Sequence, residues 1–175
     1  MADRNWIEET LRNYEAPLIR YSTGILGDLE KAREVVQEAF FRLCQQKPGI
    51  SDRLPQWLFR VCRNLAIDII RREGRMESVS NEHSLSIPDR RPDPSSALET
   101  NEKLDRITRL FQGLSENQRE VLRLKFQNGL SYREISEITG LSESNVGFLL
   151  HTGLKRVRER MEALQSRRSQ IRRVK

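Results

Sequence analysis

The sequence contains only two cysteines, Cys44 and Cys62, and only two histidines among its 175 residues. The cysteines are not spaced as a CxxC pair, and two histidines leave too few ligands for a structural zinc site. So few cysteines also fit a reducing compartment, where disulfides are rare. We therefore expect no metal site, and we expect both cysteines to be small apolar residues of the core.

Long apolar runs are also missing. No stretch approaches the about 18 apolar residues that a membrane-spanning helix needs, and the opening residues MADRNWIEET lack the apolar centre of a signal peptide. We therefore expect a cytoplasmic protein without a membrane span. The sequence also has no grouped acid, base and nucleophile and no phosphate-binding glycine loop, so we expect neither an enzyme nor a cofactor.

Positive charge is concentrated at one end of the chain. The net charge is +6, but residues 155–175 contain nine Lys or Arg and two Glu, which gives +7 there and −1 for the remainder. Such a basic segment suits contact with phosphates if a candidate DNA-binding helix lies beside it. The alternative for the last ten residues is a solvated tail.

Apolar residues recur at three- and four-residue steps, and no alternating strand pattern is present, so the fold class is predicted to be all-α. We expect helices at about 6–26, 29–46 and 55–72, separated by Gly27-Asp28 and by the Pro-Gly loop 47–52, with further helices from Leu98.

A polar segment divides these helices into two groups. Residues 74–97 contain three prolines and few apolar anchors, which predicts a flexible linker. We therefore expect two small helical domains, 1–73 and 98–175, the second carrying a helix-turn-helix.

The helix-turn-helix is predicted from caps and spacing. Ser115-Glu-Asn-Gln118 and Ser131-Tyr-Arg-Glu134 are capping boxes, and Asn128-Gly129 is suited to end the first helix. Gly140 can adopt the positive φ of the sharp turn, four residues after the small Ser136. The alternative is a helical hairpin in a bundle.

The helix after this turn begins SESNVGFLLHTGLKRV, residues 142–157, with Ser142 as its expected cap. Asn145 can pair with adenine, and Phe148 can touch a thymine methyl, although packing on a neighbouring helix is its simpler role. No arginine in the first two turns can read guanine, so phosphate contacts should supply most of the affinity. The predicted duplex-binding residues are Arg133, Ser142, Ser144, Asn145, Phe148, His151, Lys155, Arg156 and Arg158.

A second polar surface is predicted on the helix at 56–72. At about 100° per residue, the apolar side chains collect on one face, and the opposite face carries a basic stripe that suits a nucleic-acid strand. The alternative is an ordinary solvated helix face. The stripe contains Gln56, Arg60, Arg63, Asn64, Asp68, Arg71 and Arg72.

Taken together, the chain resembles the extracytoplasmic-function (ECF) sigma factors of bacterial RNA polymerase. EVVQEAFFRL (34–43) is similar to the core-binding helix of sigma region 2, and LPQWLFRVCRNLAIDIIRR (54–72) to the segment that melts and holds the minus-ten element. Residues 114–161 resemble region 4, which reads the minus-thirty-five element.

The resemblance implies roles for individual residues. Glu34, Gln37, Glu38 and Phe41 match the core-binding pattern, and the loop 47–53 would hold an extruded base. Core RNA polymerase and promoter DNA are the implied partners, with an anti-sigma factor as a further one. The residues expected on the non-template strand are Arg60, Arg63, Asn64, Arg71 and Arg72.

Two departures from the family pattern leave alternatives open. Lys31 and Arg33 stand where many members carry acids, which should weaken attraction to a basic clamp surface. Gly147-Phe148-Leu149 replaces a common Lys-Ser-Arg, which makes Asn145 the best single candidate reader. The alternatives are a conventional helix-turn-helix regulator and a regulatory pseudo-sigma with altered core binding.

Overall fold

The computed structural model describes residues 2–45, 53–80, 110–111 and 113–173. Within these ranges the chain forms helices and no strands, which confirms the all-α prediction. The helices whose bounds fall within these ranges are α1 (Ala2–Leu26), α2 (Leu29–Gln45), α3 (Leu54–Ser80), α4 (Glu116–Phe126), α5 (Tyr132–Thr139) and α6 (Glu143–Arg173).

These helices belong to two compact units, residues 1–92 with 133–140, and residues 93–132 with 141–175. The first unit contains α1, α2, α3 and α5, and the second contains α4 and α6. The domain boundaries drawn from the sequence, at 73 and 98, stay predictions.

The core of the first unit lies where α1, α2 and α3 pack against one another. The ring of Tyr21 on α1 meets Phe59 on α3 edge-to-face, with 5.2 Å between ring centroids, a favoured aromatic geometry. From α2, the core takes apolar residues spaced three and four apart, as expected for one helical face. They are Ala32, Val35, Val36, Ala39, Phe40 and Leu43.

The break between α1 and α2 forms as predicted. Gly27 has a φ of 69°, a conformation that glycine adopts without steric cost. The Asp28 carboxylate then accepts hydrogen bonds from the backbone N–H groups of Glu30 at 2.9 Å and Lys31 at 3.1 Å. These bonds satisfy donors that a helix N-terminus leaves unpaired.

The two cysteines differ in their environments. Cys62 is buried in the core, as predicted, and burial raises the pKa of its thiol from 9.0 to about 12. Cys44 is exposed, so the expectation of a core position was wrong for this residue. It follows Leu43, the last buried residue of α2, and one further residue rotates the side chain by about 100° around the helix.

The helix α3 is longer than predicted. The sequence indicated an end near Arg72, but α3 continues to Ser80 and takes in the first residues of the predicted linker. Residues 74–80 contain no proline, and each residue added to a formed helix gains a hydrogen bond without a new nucleation step. The rest of the predicted linker, 81–97, lies outside the described residues, as does the predicted loop 47–52.

The predicted capping box of α4 is present. The Ser115 hydroxyl accepts from the Gln118 N–H at 3.2 Å, and the Gln118 side-chain oxygen accepts from the Ser115 N–H at 3.1 Å. The other end of α4 differs slightly from the prediction, because Gln127 is the C-cap and the positive φ, 69°, falls at Gly129.

The turn between α5 and α6 also forms as predicted. Gly140 has a φ of 76°, and its N–H donates to the carbonyl of Ser136 at 2.9 Å. Ser142 caps α6 by accepting from the Asn145 N–H at 3.2 Å. Val146 and Leu150 are buried, at 0% and 2% exposure, so the inward face of α6 matches the expected one.

Candidate protein and nucleic-acid interfaces

The four residues predicted to bind core polymerase form one stripe on the outer face of α2. Glu34, Gln37 and Phe41 are exposed, and Glu38 is half-buried. At about 100° per residue they lie within roughly 100° of one another, opposite the buried face. Phe41 is 59% exposed, so a large apolar side chain stands in a polar surface where a partner could cover it.

The cations that depart from the family pattern are paired within the chain. The Lys31 ammonium is hydrogen-bonded to the Glu73 carboxylate of α3, and both side chains are about one-third exposed. Arg33 pairs with Glu30, one turn earlier on α2, at 2.8 Å. On the stripe itself, Glu38 pairs with Arg42 at 2.8 Å.

The basic stripe of α3 is present on its outer face. Arg60, Asn64 and Arg71 are exposed and lie within about 40° of one another around the helix. Arg63 is half-buried on one flank. Arg72 is exposed on the other flank, where its Nε donates to the carbonyl of Asp68 at 3.4 Å.

The sequence reasoning missed Trp57, which is half-buried on the same side of α3. It precedes Arg60 by three residues and Asn64 by seven, a spacing that places the three within about 60° around a helix. An aromatic ring among cations is the usual combination for stacking on an unpaired base. This spacing was the signal that could have identified Trp57 from the sequence.

The outer face of α6 carries most of the predicted duplex-binding residues. Ser144, Phe148, His151, Lys155 and Arg158 are all exposed and lie within about 80° of one another. We call this set the α6 reading face. Asn145 is exposed at its edge, about 60° from Phe148.

Phe148 corrects one interpretation of the sequence. Packing on a neighbouring helix was its simpler expected role, but its side chain is 64% exposed. Its neighbour Gly147 is half-buried instead, and a Cβ at Gly147 would lie 3.4 Å from the ring of Tyr132. The apolar surface of Phe148 is therefore presented to solvent on the flank of the α6 reading face that is nearest to Asn145.

Two of the predicted duplex-binding arginines have partners in the chain. The Arg133 Nε contacts the Glu137 carboxylate at 3.4 Å, and the Arg133 side chain is 70% exposed. The Arg156 guanidinium donates to the Gly113 carbonyl at 3.1 Å and to the Gln118 side chain at 3.2 Å. Arg156 is thus directed at the start of α4, about 100° around α6 from Lys155.

Two other kinds of site are absent from the described part of the chain. No group of three or more His, Cys, Asp or Glu side chains there could hold a metal ion. No helix there is long and apolar enough to cross a membrane.

Comparison with protein families gives two matches in chain order. The family profile for Sigma-70 region 2 matches residues 10–76, and that for Sigma-70 region 4 matches residues 104–157. The first range contains the α2 stripe and most of α3. The second contains α4, α5 and the α6 reading face except for Arg158.

Curated proteins with related sequences are also sigma factors. The ECF RNA polymerase sigma factor SigL of Mycobacterium tuberculosis is 32% identical over 156 residues, which cover 86% of each chain. The ECF RNA polymerase sigma factor SigM of Bacillus subtilis is 29% identical over 163 residues, covering 92% of this chain and 96% of SigM.

A solved structure shares the fold. The sigma factor RpoE of Bartonella quintana, crystallised with the anti-sigma factor NepR, aligns with a TM-score of 0.67 at 21% identity, covering 89% of this chain and 96% of RpoE. Because two sigma regions match in order and a relative is 32% identical over most of its length, the chain belongs to the ECF sigma factors of RNA polymerase.

Proposed function

We propose that the chain directs core RNA polymerase to specific promoters through three surfaces, one on each of α2, α3 and α6. The observation that carries this proposal is the ordered match to regions 2 and 4, combined with the exposure of polar residues on each of those helices. No catalytic step is assigned to the chain, and its work on polymerase implies a cytoplasmic location.

The α2 stripe is the proposed contact with core polymerase. An exposed aromatic residue surrounded by polar ones is typical of the small set of residues that dominates an interface. Phe41 would supply the buried apolar contact, while Glu34, Gln37 and Glu38 would form the polar rim around it. A basic polymerase surface would be attracted mainly to the Glu34 carboxylate, because the Glu38 carboxylate is already paired with Arg42.

The α3 stripe is the proposed contact with the melted minus-ten element. Cations on Arg60, Arg63, Arg71 and Arg72 can follow the phosphates of the non-template strand, and Asn64 can hydrogen-bond to a base edge. Such edges are accessible once the duplex has opened, which makes single-stranded reading physically reasonable. Residues 47–52 of the segment 47–53, expected to hold an extruded base, lie outside the described part, so that role stays a prediction.

The α6 reading face is the proposed contact with the minus-thirty-five element. Its first two turns offer an amide, hydroxyls and a phenyl ring, so base reading should depend on few contacts, and Lys155 and Arg158 would bind phosphate. By itself, such a face should bind duplex DNA weakly. When polymerase holds both the α3 stripe and the α6 reading face on one promoter, binding of one raises the effective concentration of the other at its own element.

An anti-sigma factor is a further proposed partner. The structurally similar RpoE was crystallised with the anti-sigma factor NepR, and an anti-sigma factor that covered the exposed binding surfaces of this chain would keep it from polymerase. The alternative of a pseudo-sigma rested on the charges of Lys31 and Arg33. Both charges are paired within the chain, which weakens that alternative.

The test is reconstitution of the full chain with purified core polymerase, followed by run-off transcription on genomic fragments. We expect the chain to bind core and to produce transcripts from a discrete set of promoters. Binding without promoter-specific transcripts would support a pseudo-sigma. Tight duplex binding by the chain alone, without association with core, would support a conventional regulator and overturn the proposal.

A further inference from the structure

A polar network joins the start of α4 to α6 in the second unit. Its centre is Gln118, whose side chain is only 5% exposed although it is polar. Besides closing the capping box with Ser115, the Gln118 amide donates to the Thr152 hydroxyl at 3.0 Å and accepts from Arg156 at 3.2 Å. Buried polar groups are costly unless they are hydrogen-bonded, so Arg156 helps to satisfy a group that α6 itself buries.

The second contact of Arg156 is with the loop before α4. Its guanidinium donates to the carbonyl of Gly113 at 3.1 Å, and Gly113 has a φ of 76°. A Cβ at Gly113 would lie 2.6 Å from the Arg160 guanidinium. Two arginines of α6 thus lie against this loop, and one of them, Arg156, bridges two acceptors with a single nitrogen.

The two helices are close together at this place because α6 carries a glycine there. Gly153 is buried, and a Cβ on it would lie 3.2 Å from the Leu122 side chain and 3.6 Å from Cβ of Gln118. A contact of 3.2 Å is tight, so a larger residue would require the Leu122 side chain or α6 itself to shift by a few tenths of an ångström. The close approach brings Thr152 and Arg156 within hydrogen-bonding distance of Gln118.

We propose that Arg156 is a positioning residue, and that Gly113, Gln118, Thr152 and Arg156 form a clamp that fixes the orientation of α6 against α4. In this role Arg156 sets the angle of the α6 reading face and does not bind phosphate, which replaces the role expected from the sequence. Lys155 and Arg158, which lie on the reading face itself, are the phosphate ligands. The inference rests on the proposed function in so far as α6 reads promoter DNA.

Charge-conserving substitutions separate the two roles. Lysine keeps the charge of arginine, but its ammonium ends one bond nearer the backbone than the guanidinium nitrogen that donates to both acceptors. Arg156→Lys should therefore retain a phosphate contact but break the clamp. The matched control is Arg119→Lys, the same exchange at a half-buried arginine of α4 that lies outside the clamp and the reading face. Two further single variants, Arg156→Gln and Lys155→Gln, each remove one positive charge.

The first measurement is binding of the full chain to a labelled duplex of arbitrary sequence over a range of salt concentrations. Each lost phosphate contact reduces the slope of log affinity against log salt by about 0.9. We expect that reduction for Lys155→Gln and no change for Arg156→Gln. An equal reduction for both would identify Arg156 as a phosphate ligand and overturn the proposal.

The second measurement is coupling between Arg156 and Gln118 in thermal unfolding. We expect Arg156→Lys to lower the Tm of the wild-type chain. In a chain that already carries Gln118→Met, the same substitution should have little further effect on the Tm, because the hydrogen bond between the two side chains is already lost. Additive effects would overturn the clamp. This measurement and the salt slope need no promoter, so they decide the assignment even if the chain proves not to initiate transcription.

The third measurement distinguishes positioning from stability alone. Reconstituted holoenzyme is compared on promoters with the native and a scrambled upstream element, at a temperature where every variant is folded. We expect Arg156→Lys to reduce the discrimination at least about fivefold, the lower end of the cost of one mismatched base pair, and Arg119→Lys to leave it unchanged. If Arg156→Lys lowered the Tm but discriminated between the two promoters as well as wild type does, Arg156 would only stabilise the fold. The positioning role would then be wrong.

Discussion

The ammonium of Lys31 on α2 is hydrogen-bonded to the Glu73 carboxylate on α3, 42 residues later in the chain. The pair joins the helix that carries the proposed polymerase contact to the helix that carries the proposed minus-ten contact. Its charge is balanced inside the chain, so Lys31 contributes little net repulsion toward a basic partner. The departure from the family pattern at this position is therefore explained by packing between α2 and α3.

Substitution of Lys31 should act mainly on stability. Lys31→Asp places a second carboxylate opposite Glu73, and because both side chains are about one-third exposed, solvent limits the cost to about 1 kcal/mol. Urea unfolding measures it. Arg33→Glu is the matched control, since Arg33 is 57% exposed and its substitution should cost less than about 0.5 kcal/mol. Equal effects of the two substitutions would contradict the importance of the Lys31–Glu73 pair.

Arg33 is the better test of the charge argument for core binding. Arg33→Glu reverses an exposed charge on α2, and we expect tighter binding to core polymerase at low salt. The gain should shrink as salt is raised, because ions screen exposed charges beyond a Debye length of about 8 Å near physiological salt. Titration of labelled chain with core at two salt concentrations measures this. Affinity that is unchanged at low salt would refute the argument.

Asn64 and Phe41 should separate promoter opening from core binding. Asn64→Ala removes a base-reading amide from the exposed stripe of α3, so we expect fewer open complexes with unchanged affinity for core. Phe41→Ala removes the apolar anchor of the α2 stripe, so we expect weaker core binding. Permanganate reactivity of promoter thymines reports opening, and co-purification with core reports binding. If both variants lost both properties equally, the assignment of separate surfaces would fail.

Phe148 should read the methyl group of a thymine. Its phenyl ring is 64% exposed among polar neighbours, and apolar side chains distinguish thymine by its methyl group. We expect replacement of one upstream thymine by deoxyuridine to weaken holoenzyme binding to the promoter, and Phe148→Ala to abolish that sensitivity. Phe126→Ala is the matched control, because Phe126 is equally exposed at 63% but lies at the end of α4. Uracil sensitivity that persists in Phe148→Ala would exclude the contact.

The buried Cys62 thiol should make stability depend on alkaline pH. Burial raises its pKa from 9.0 to about 12 in the folded chain, whereas the unfolded chain releases the proton near pH 9.0. The contribution of Cys62 is therefore complete below about pH 9 and is lost as the pH rises toward 12, at about 1.4 kcal/mol per pH unit. The measurement is the unfolding free energy against pH for wild type and Cys62→Ala. Parallel profiles would show that the thiol ionises without penalty.

Much of this protein could be predicted from local sequence. The capping box at Ser115, the glycine turns at Gly27 and Gly140, and the buried face of α2 depend on residues within about four positions of one another. The same helical periodicity predicted which residues lie on the outer faces of α3 and α6. The alternation of apolar and polar residues therefore determined which side chains could meet a partner.

Other features were decided by the tertiary structure. The sequence offered Arg156 as one more cation of a basic run, but its acceptor Gln118 lies 38 residues away and is brought near only because Gly153 lets α6 approach α4. The Lys31–Glu73 pair also depends on tertiary structure, because the packing of α3 against α2 brings together two residues 42 positions apart. A charged side chain has many possible partners in the sequence, and packing decides which of them it meets, because hydrogen bonds and ion pairs act over only a few ångströms. Helical periodicity, by contrast, is fixed by neighbouring residues, so the sequence by itself determines it.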